Sequence, residues 1–287
     1  MKTTILCAML VLSCISTSPT SLRAQETKLP TRAPSASANA AIERFIAECV
    51  SITPGEDGFS KRFISGTKEP TAHETTQQEV AIEHPFRISK YEVTQELYEA
   101  VTGTNPSRWK GPRNSVENVS CTEAVLFCQQ LTELLSKKQL IGDAQKVRLP
   151  TYVEWEYCCR AGTETRYCFG QNAGPEGLTT ELDAYAWHTG NAAGNDPAVG
   201  VLKPNSWGLF DVHGYLWEFV SHESGQNSLQ ITAPAAHCII RGGSWRDAHP
   251  LLSSSAYLTI SESERSDAIG FRCVIAEKPE VKISLMR

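Results

Sequence analysis

Apolar positions along the chain fall into two textures. In "SCTEAVLFCQQLTELL", residues 120–135, Ala124, Val125, Cys128, Leu131 and Leu135 recur at the helical period, and Ser120 stands before Glu123 at capping-box spacing. The pattern predicts a half-buried helix with Cys128 turned inward. In "PTYVEWEYCCRAG", residues 150–162, Thr151 and Glu154 form a second capping box, and Gly162 takes the place of a left-handed C-terminal cap. A third helix is predicted in "TQELYEAVTG", residues 94–103, with Leu97, Tyr98 and Val101 on one side and Gly103 as its stop.

After Gly162 the helical period disappears. "HTGNAAGNDPAVG", "KPNSWGLFDVHG" and "RGGSWRDAHP" are dense in Gly, Asn, Pro and Trp, and their apolar pieces are too short for helices. Short strands and ordered loops are expected there, giving an α+β domain with much irregular structure. Residues 25–45, rich in Pro, Ser, Ala and Thr, read as a solvated linker, and no internal repeat is present.

The first residues change the picture of where the chain works. An apolar run from Ile5 to Ile15 follows Lys2 and gives way to small and polar residues near Ala24. It is too short to span a bilayer and reads as a signal peptide over residues 1–24, so a secreted or periplasmic protein is expected. "VLSC" ending at Cys14 resembles a lipoprotein box except for Val11, and a membrane association is expected only through a lipid on Cys14. The net charge of −5 over 287 residues, with no long run of either sign, argues against nucleic acid as a partner.

Beyond the leader stand Cys49, Cys121, Cys128, Cys158, Cys159, Cys168, Cys238 and Cys273. An even set in an exported chain suggests disulfides, and no C-x-x-C pair or helical His pair suggests a metal cluster. Familiar hydrolase, nucleotide and zinc-protease motifs are absent. Ser244, Asp247 and His249 are close in sequence, but neighbouring loop residues seldom align as a triad.

Two segments carry candidate chemistry. In "WGLFDVHGYLWEF", residues 207–219, Asp211 and Glu218 with the carbonyls of Gly214 and Leu216 offer four oxygen groups suited to a hard cation such as calcium. The competing reading makes Trp217 and Phe219 core and the carboxylates loop caps. In "RGGSWRDAHP", Trp245, Arg246, Asp247 and His249 form a candidate binding groove, since an aromatic face, a guanidinium and a carboxylate suit sugar or peptide. The competing reading gives a tight Gly242–Gly243 turn, a core Trp245 and a surface Arg246–Asp247 pair.

"YEVTQELYEAVTGTNPS", "PRNSVENVSCTEAVLFCQQLT", "VRLPTYVEWEYCCRAGTETRY", "WGLFDVHGYLWEF", "IIRGGSWRD" and "AIGFRCV" occur in this order. In them the chain resembles the formylglycine-generating enzymes, or sulfatase-modifying factors, over residues 46–276, leaving 277–287 as a tail. The resemblance implies a C-type-lectin-like fold, loop-rich with a few short helices and short antiparallel strands. It also implies a calcium site at Asp211, Gly214, Leu216 and Glu218, with Tyr215 in place of the family's asparagine. A second family calcium site is implied to be missing, because its asparagine position is Trp187. A disulfide between Cys128 and Cys273 is implied, while the usual partner position of Cys159 is Tyr257.

The family's catalytic cysteine pair holds copper(I) and engages a substrate thiol, and the matching positions here are Asp247 and Leu252. Neither offers a soft sulfur ligand, so copper is not expected. The expected function is that of a binding or accessory module for a protein or glycan, in the sulfatase context or outside it. One alternative is an enzyme of the family, oxidising a sulfatase cysteine or running another reaction with His213, His249, Asp247 or Tyr257. A lectin-like glycan binder is another.

Overall fold

The computed structural model describes residues 35–171, 180–192, 194, 196–221 and 234–278. The signal peptide, Cys14 and most of the C-terminal tail lie outside them. Helix α1 (Ala36–Ala47) is followed by β1 (Cys49–Ile52), β2 (Arg62–Ser65), β3 (Gln78–Ala81) and β4 (Phe86–Ser89). Then come α2 (Gln95–Thr102), α3 (Cys121–Lys137), β5 (Gln145–Arg148), α4 (Tyr152–Arg160) and α5 (Thr180–Asp183). The last part holds β6 (Trp217–Val220), β7 (His237–Arg241), β8 (Tyr257–Ser261), β9 (Ile269–Gly270) and β10 (Val274–Glu277). Short helices and mostly antiparallel short strands joined by long loops agree with the α+β expectation.

Helix α1 corrects the linker reading of residues 25–45. Ser35 accepts a hydrogen bond from the Ala38 amide at 3.2 Å, and Ala41, Ile42 and Phe45 are buried beside α2. The alanines that looked like linker are strong helix formers, and one apolar stripe gives them something to dock on. Both capping boxes form as expected. On α3 the inward face is Ala124, Phe127, Cys128, Leu131 and Leu135, whereas Val125 is exposed, because it lies one residue off that stripe. At the end of α4 two successive residues are left-handed, Ala161 (φ 47°) at the cap and Gly162 (φ 89°) after it, as expected of the glycine.

Two four-stranded sheets position the rest. One runs β1-β4-β10-β5, all antiparallel; the other runs β8-β7-β6-β9, with β6 and β9 parallel. A larger core joins α2 and α3 to Trp217, Phe219 and Phe271, with Tyr98 stacked on Phe127 at 5.2 Å. A second core packs Trp155 and Tyr157 of α4 against Ile52, Phe86 and Ile88.

A disulfide joins Cys121, at the start of α3, to Cys238 of β7. The implied Cys128–Cys273 bond is not made; the two buried sulfurs stand 3.8 Å apart as thiols. Cys159 is a buried thiol beside Val212 O and His213.

Glu156 is the polar pin of the second core. It is fully buried and accepts from Ser65 Oγ (2.8 Å), Gly66 N (2.8 Å), Arg160 Nε (2.8 Å) and Arg241 Nη2 (3.0 Å). Burial alone would raise its pKa, but Arg241, Arg160 and the hydrogen bonds outweigh burial and hold it below the ordinary carboxylate value. A depressed folded-state pKa stabilises the fold above the unfolded value, and that contribution is lost as pH falls through the folded one. Glu156→Gln is therefore expected to cost about 3–5 kcal/mol in a urea melt at pH 7, by leaving two buried guanidinium groups short of a counter-charge. The acid limb of its stability curve is expected to flatten.

Candidate functional site

Successive residues of a strand face opposite sides of the sheet, and β6 uses this to present two environments. On one side Trp217 joins Ile240 of β7, Leu258 and Ile260 of β8 and Ile269 in the floor of a groove of about 370 Å³. On the other side Glu218 is fully buried and faces Arg272 and Trp155.

The turn after β7 walls the groove. Gly242 (φ 99°) and Gly243 (φ 75°) are left-handed, and a Cβ on Gly243 would stand 2.9 Å from the Leu251 carbonyl oxygen. The tight turn therefore needs glycine twice. It folds back so that Asp247 Oδ2 accepts from Trp217 Nε1 (2.8 Å), Ser244 N (2.9 Å) and Ser244 Oγ (2.5 Å). Leu252 ends a 3₁₀ turn (His249–Leu252) and is fully buried with Tyr167, Leu182 and Ala186. Its carbonyl accepts from His213 Nδ1 at 2.8 Å.

Of the expected groove residues, Arg246 and Asp247 line it. Trp245 instead packs half-buried against the cluster of Val199, Tyr215 and Leu216 and donates to the Asp267 carbonyl at 3.1 Å. His249 is exposed at the start of the 3₁₀ turn, outside the groove lining. Arg246 lies 4.6 Å over the Trp245 ring and pairs with Asp267, which Arg108 also reaches at 3.3 Å. The surface Arg246–Asp247 pair is thus replaced by Arg246–Asp267. The floor residues went unread in the sequence; the apolar residues of "HCIIR" and "YLTIS" were the available signal.

The alternative catalytic set does not form one site. His213 is fully buried, and burial lowers its pKa to about 4. Its Nε2 accepts from the Cys168 amide at 3.0 Å, and its neighbour Cys159 is pushed up to about 12 by burial. Neutral groups sealed in this way are held for packing rather than for attack. Tyr257 packs on the second core, and its amide donates to the His73 carbonyl.

The four oxygen groups expected to hold calcium divide. Asp211 is buried and left-handed (φ 60°), its Oδ2 accepts from Gly200 N at 2.9 Å, and its Oδ1 has no partner. Burial raises it to about 6. Gly214 lies where a Cβ would stand 2.4 Å from the Trp187 carbonyl oxygen, and Leu216 is buried. Glu218 differs: its Oε2 accepts from Arg272 Nε (2.6 Å) and Trp155 Nε1 (2.9 Å), and its Oε1 from Arg272 Nη2 (2.8 Å). Both oxygens of that carboxylate are engaged by one guanidinium. A carboxylate the sequence did not single out, Glu92, is buried nearby with both oxygens unpartnered, and burial followed by repulsion from Asp211 and Glu218 raises its pKa well above the ordinary value. Tyr215, in the family's asparagine position, reaches out to donate to the Pro197 carbonyl at 2.7 Å.

The chain thus folds as a few short helices around two four-stranded sheets and a two-stranded one, joined by long loops. The chain belongs to the formylglycine-generating-enzyme family: residues 35–277 match the sulfatase-modifying factor enzyme 1-like domain. It is similar to the structure of PvdO from Pseudomonas aeruginosa, with TM-score 0.63 and 26% identity, covering 80% of this chain and 94% of that one. Among curated relatives, chaperone protein LppX of Paenibacillus barcinonensis is 28% identical over 56% of this chain and 69% of its own length. The formylglycine-generating enzyme of Mycobacterium tuberculosis is 34% identical over 32% of each chain. The inactive C-alpha-formylglycine-generating enzyme 2 of Mus musculus is 30% identical over 44% of this chain. The chain spans 32% and 42% of the length of the last two.

The two charged residues of the turn differ in what they hold. Asp247→Ala is expected to lower stability by about 2–4 kcal/mol in a urea melt, because the Trp217 and Ser244 N–H groups lose their acceptor. Arg246→Ala, on a pair whose guanidinium is 48% exposed, is expected to cost under about 1 kcal/mol in the same measurement.

Proposed function

We propose that this chain is an exported binding or accessory module on the sulfatase-modifying-factor scaffold and does not carry out copper-dependent oxidation of cysteine to formylglycine. One observation carries the reading: the positions matching the family's cysteine pair are an aspartate saturated by Trp217 and Ser244 and a leucine sealed in the core. Copper(I) asks for soft donors, and neither a carboxylate already engaged nor an isobutyl group supplies one. Two relatives support a non-oxidising role by name, the chaperone protein LppX and the inactive formylglycine-generating enzyme 2. The groove over Trp217, Ile240 and Leu258 is the surface on which a protein or glycan ligand would sit, and an apolar floor with a polar rim suits such contacts. Sulfatases are one partner class within this reading.

Calcium is proposed as a structural ion at the Asp211 loop, supported by the unpartnered Asp211 Oδ1 in the core. Export rests on the N-terminal apolar run, and among the described residues no helix is long and apolar enough to cross a membrane.

Two measurements test these readings. Offered a Cys-x-Pro-x-Arg sulfatase peptide with copper and oxygen, the purified protein is expected to leave the thiol unchanged by mass spectrometry; an aldehyde product would reverse the reading. Expressed in a bacterial host, it is expected in the periplasm or medium with a mature N-terminus close to residue 25, and recovery of full-length chain from the cytoplasm would remove export.

A further inference from the structure

The wall of the groove continues past the residues that line it. Asp267 is buried, and its carboxylate accepts from Arg246 of the turn and, at 3.3 Å, from Arg108 of the loop between α2 and α3. Each guanidinium lies over the indole beside it in sequence, Arg246 over Trp245 at 4.6 Å and Arg108 over Trp109 at 4.9 Å. The second stack is held from behind, because Oε1 of the buried Glu117 accepts from the amides of both Arg108 and Trp109. Two cation–indole stacks are thus fixed around one carboxylate while their outer sides stay in solvent. The Arg108 and Arg246 side chains are 62% and 48% exposed, and Trp109 is 49% exposed. Among the described residues the two guanidinium groups have Asp267 as their only hydrogen-bond partner, so most of their N–H donors are available to a second carboxylate. Burial raises the pKa of Glu117, so it offsets the arginines less than an exposed acid would. Elsewhere on the lining stands Glu264, held at the end of β8 by its amide on the Ser261 carbonyl, and an acid placed there would be repelled. The groove is therefore basic at the turn and acidic past β8, over a floor whose aliphatic part is Ile240, Leu258, Ile260 and Ile269.

We infer that the ligand of this groove is a polypeptide segment that lays apolar side chains on the floor and sets an aspartate or glutamate against Arg108 and Arg246. The inference rests on the binding-module reading proposed above and names the class of ligand. An aliphatic floor favours peptide side chains over a sugar, whose hydroxyl groups would lie there without polar partners. A peptide with arginine in place of the acid meets two like charges, so the wall selects against it.

The test pans the purified full chain against a random peptide display library and, separately, against an array of neutral and sulfated glycans. Enriched peptides are expected to combine apolar residues with Asp or Glu. For such a peptide, followed by fluorescence anisotropy, Arg246→Ala is expected to weaken binding about fivefold or more, and added salt to weaken it as well. Changing the acid of the peptide to its amide is expected to cost wild type as much and to cost Arg246→Ala nothing further, the signature of direct contact. Arg108→Ala is expected to behave in the same way. Leu258→Asp, on the floor, is expected to abolish binding of every enriched peptide. If enriched peptides are basic or uncharged, or the amide change costs wild type nothing, the acid assignment is overturned, and the groove reading stands as long as Leu258→Asp still abolishes binding. If glycans bind and no peptide does, the peptide inference falls and the binding module stands. If neither binds, both fall.

Discussion

The ion pair between Arg272 and Glu218 is the constraint on which the rest of this structure depends. Neither partner is reached by solvent, and the guanidinium spends its remaining donors on the carbonyls of Ser89, Lys90 and Phe210. One side chain thereby joins β4 of the first sheet, β6 of the second and the loop that leads to Asp211. Buried ion pairs of this kind owe their retention less to net stabilisation than to the single arrangement they permit. Here the arrangement sets the strand whose opposite face floors the groove.

The groove and the carboxylate core are therefore two faces of the same four residues, Trp217 to Val220. Trp217 gives its ring to the floor and its indole N–H to Asp247, so the turn that walls the groove is fastened to the strand beneath it. A ligand in the groove would meet a surface already held in shape, which limits the ordering cost of binding.

How far the sequence speaks depends on the range of each interaction. The capping boxes at Ser120 and Thr151, the Gly103 stop and the Gly242–Gly243 turn were readable because partners lie within a few residues. The helix at Ala36–Ala47 was missed because its evidence is a dock onto α2, far along the chain. The groove floor joins Trp217 to residues of β7, β8 and β9, so no single window contains it. Glu92 sits in "YEV", where nothing local marks its burial; only Lys90 meeting Phe210 brings it to Asp211. The pairing of Glu218 could not be read locally, because its arginine lies in the "GFRC" segment 54 residues later. Ordered blocks gave the family; the pairing between blocks needed the fold.

The sealing of Leu252 bears on which substitutions the turn tolerates. A sulfur at that position would leave part of a filled core empty, and a sulfur at 247 would strip the indole and the Ser244 amide of their acceptor. Either change to cysteine is thus unfavourable on its own. Packing alone therefore holds Asp247 and Leu252 in place, while the exposed rim of the groove, as at Arg246, carries no such constraint.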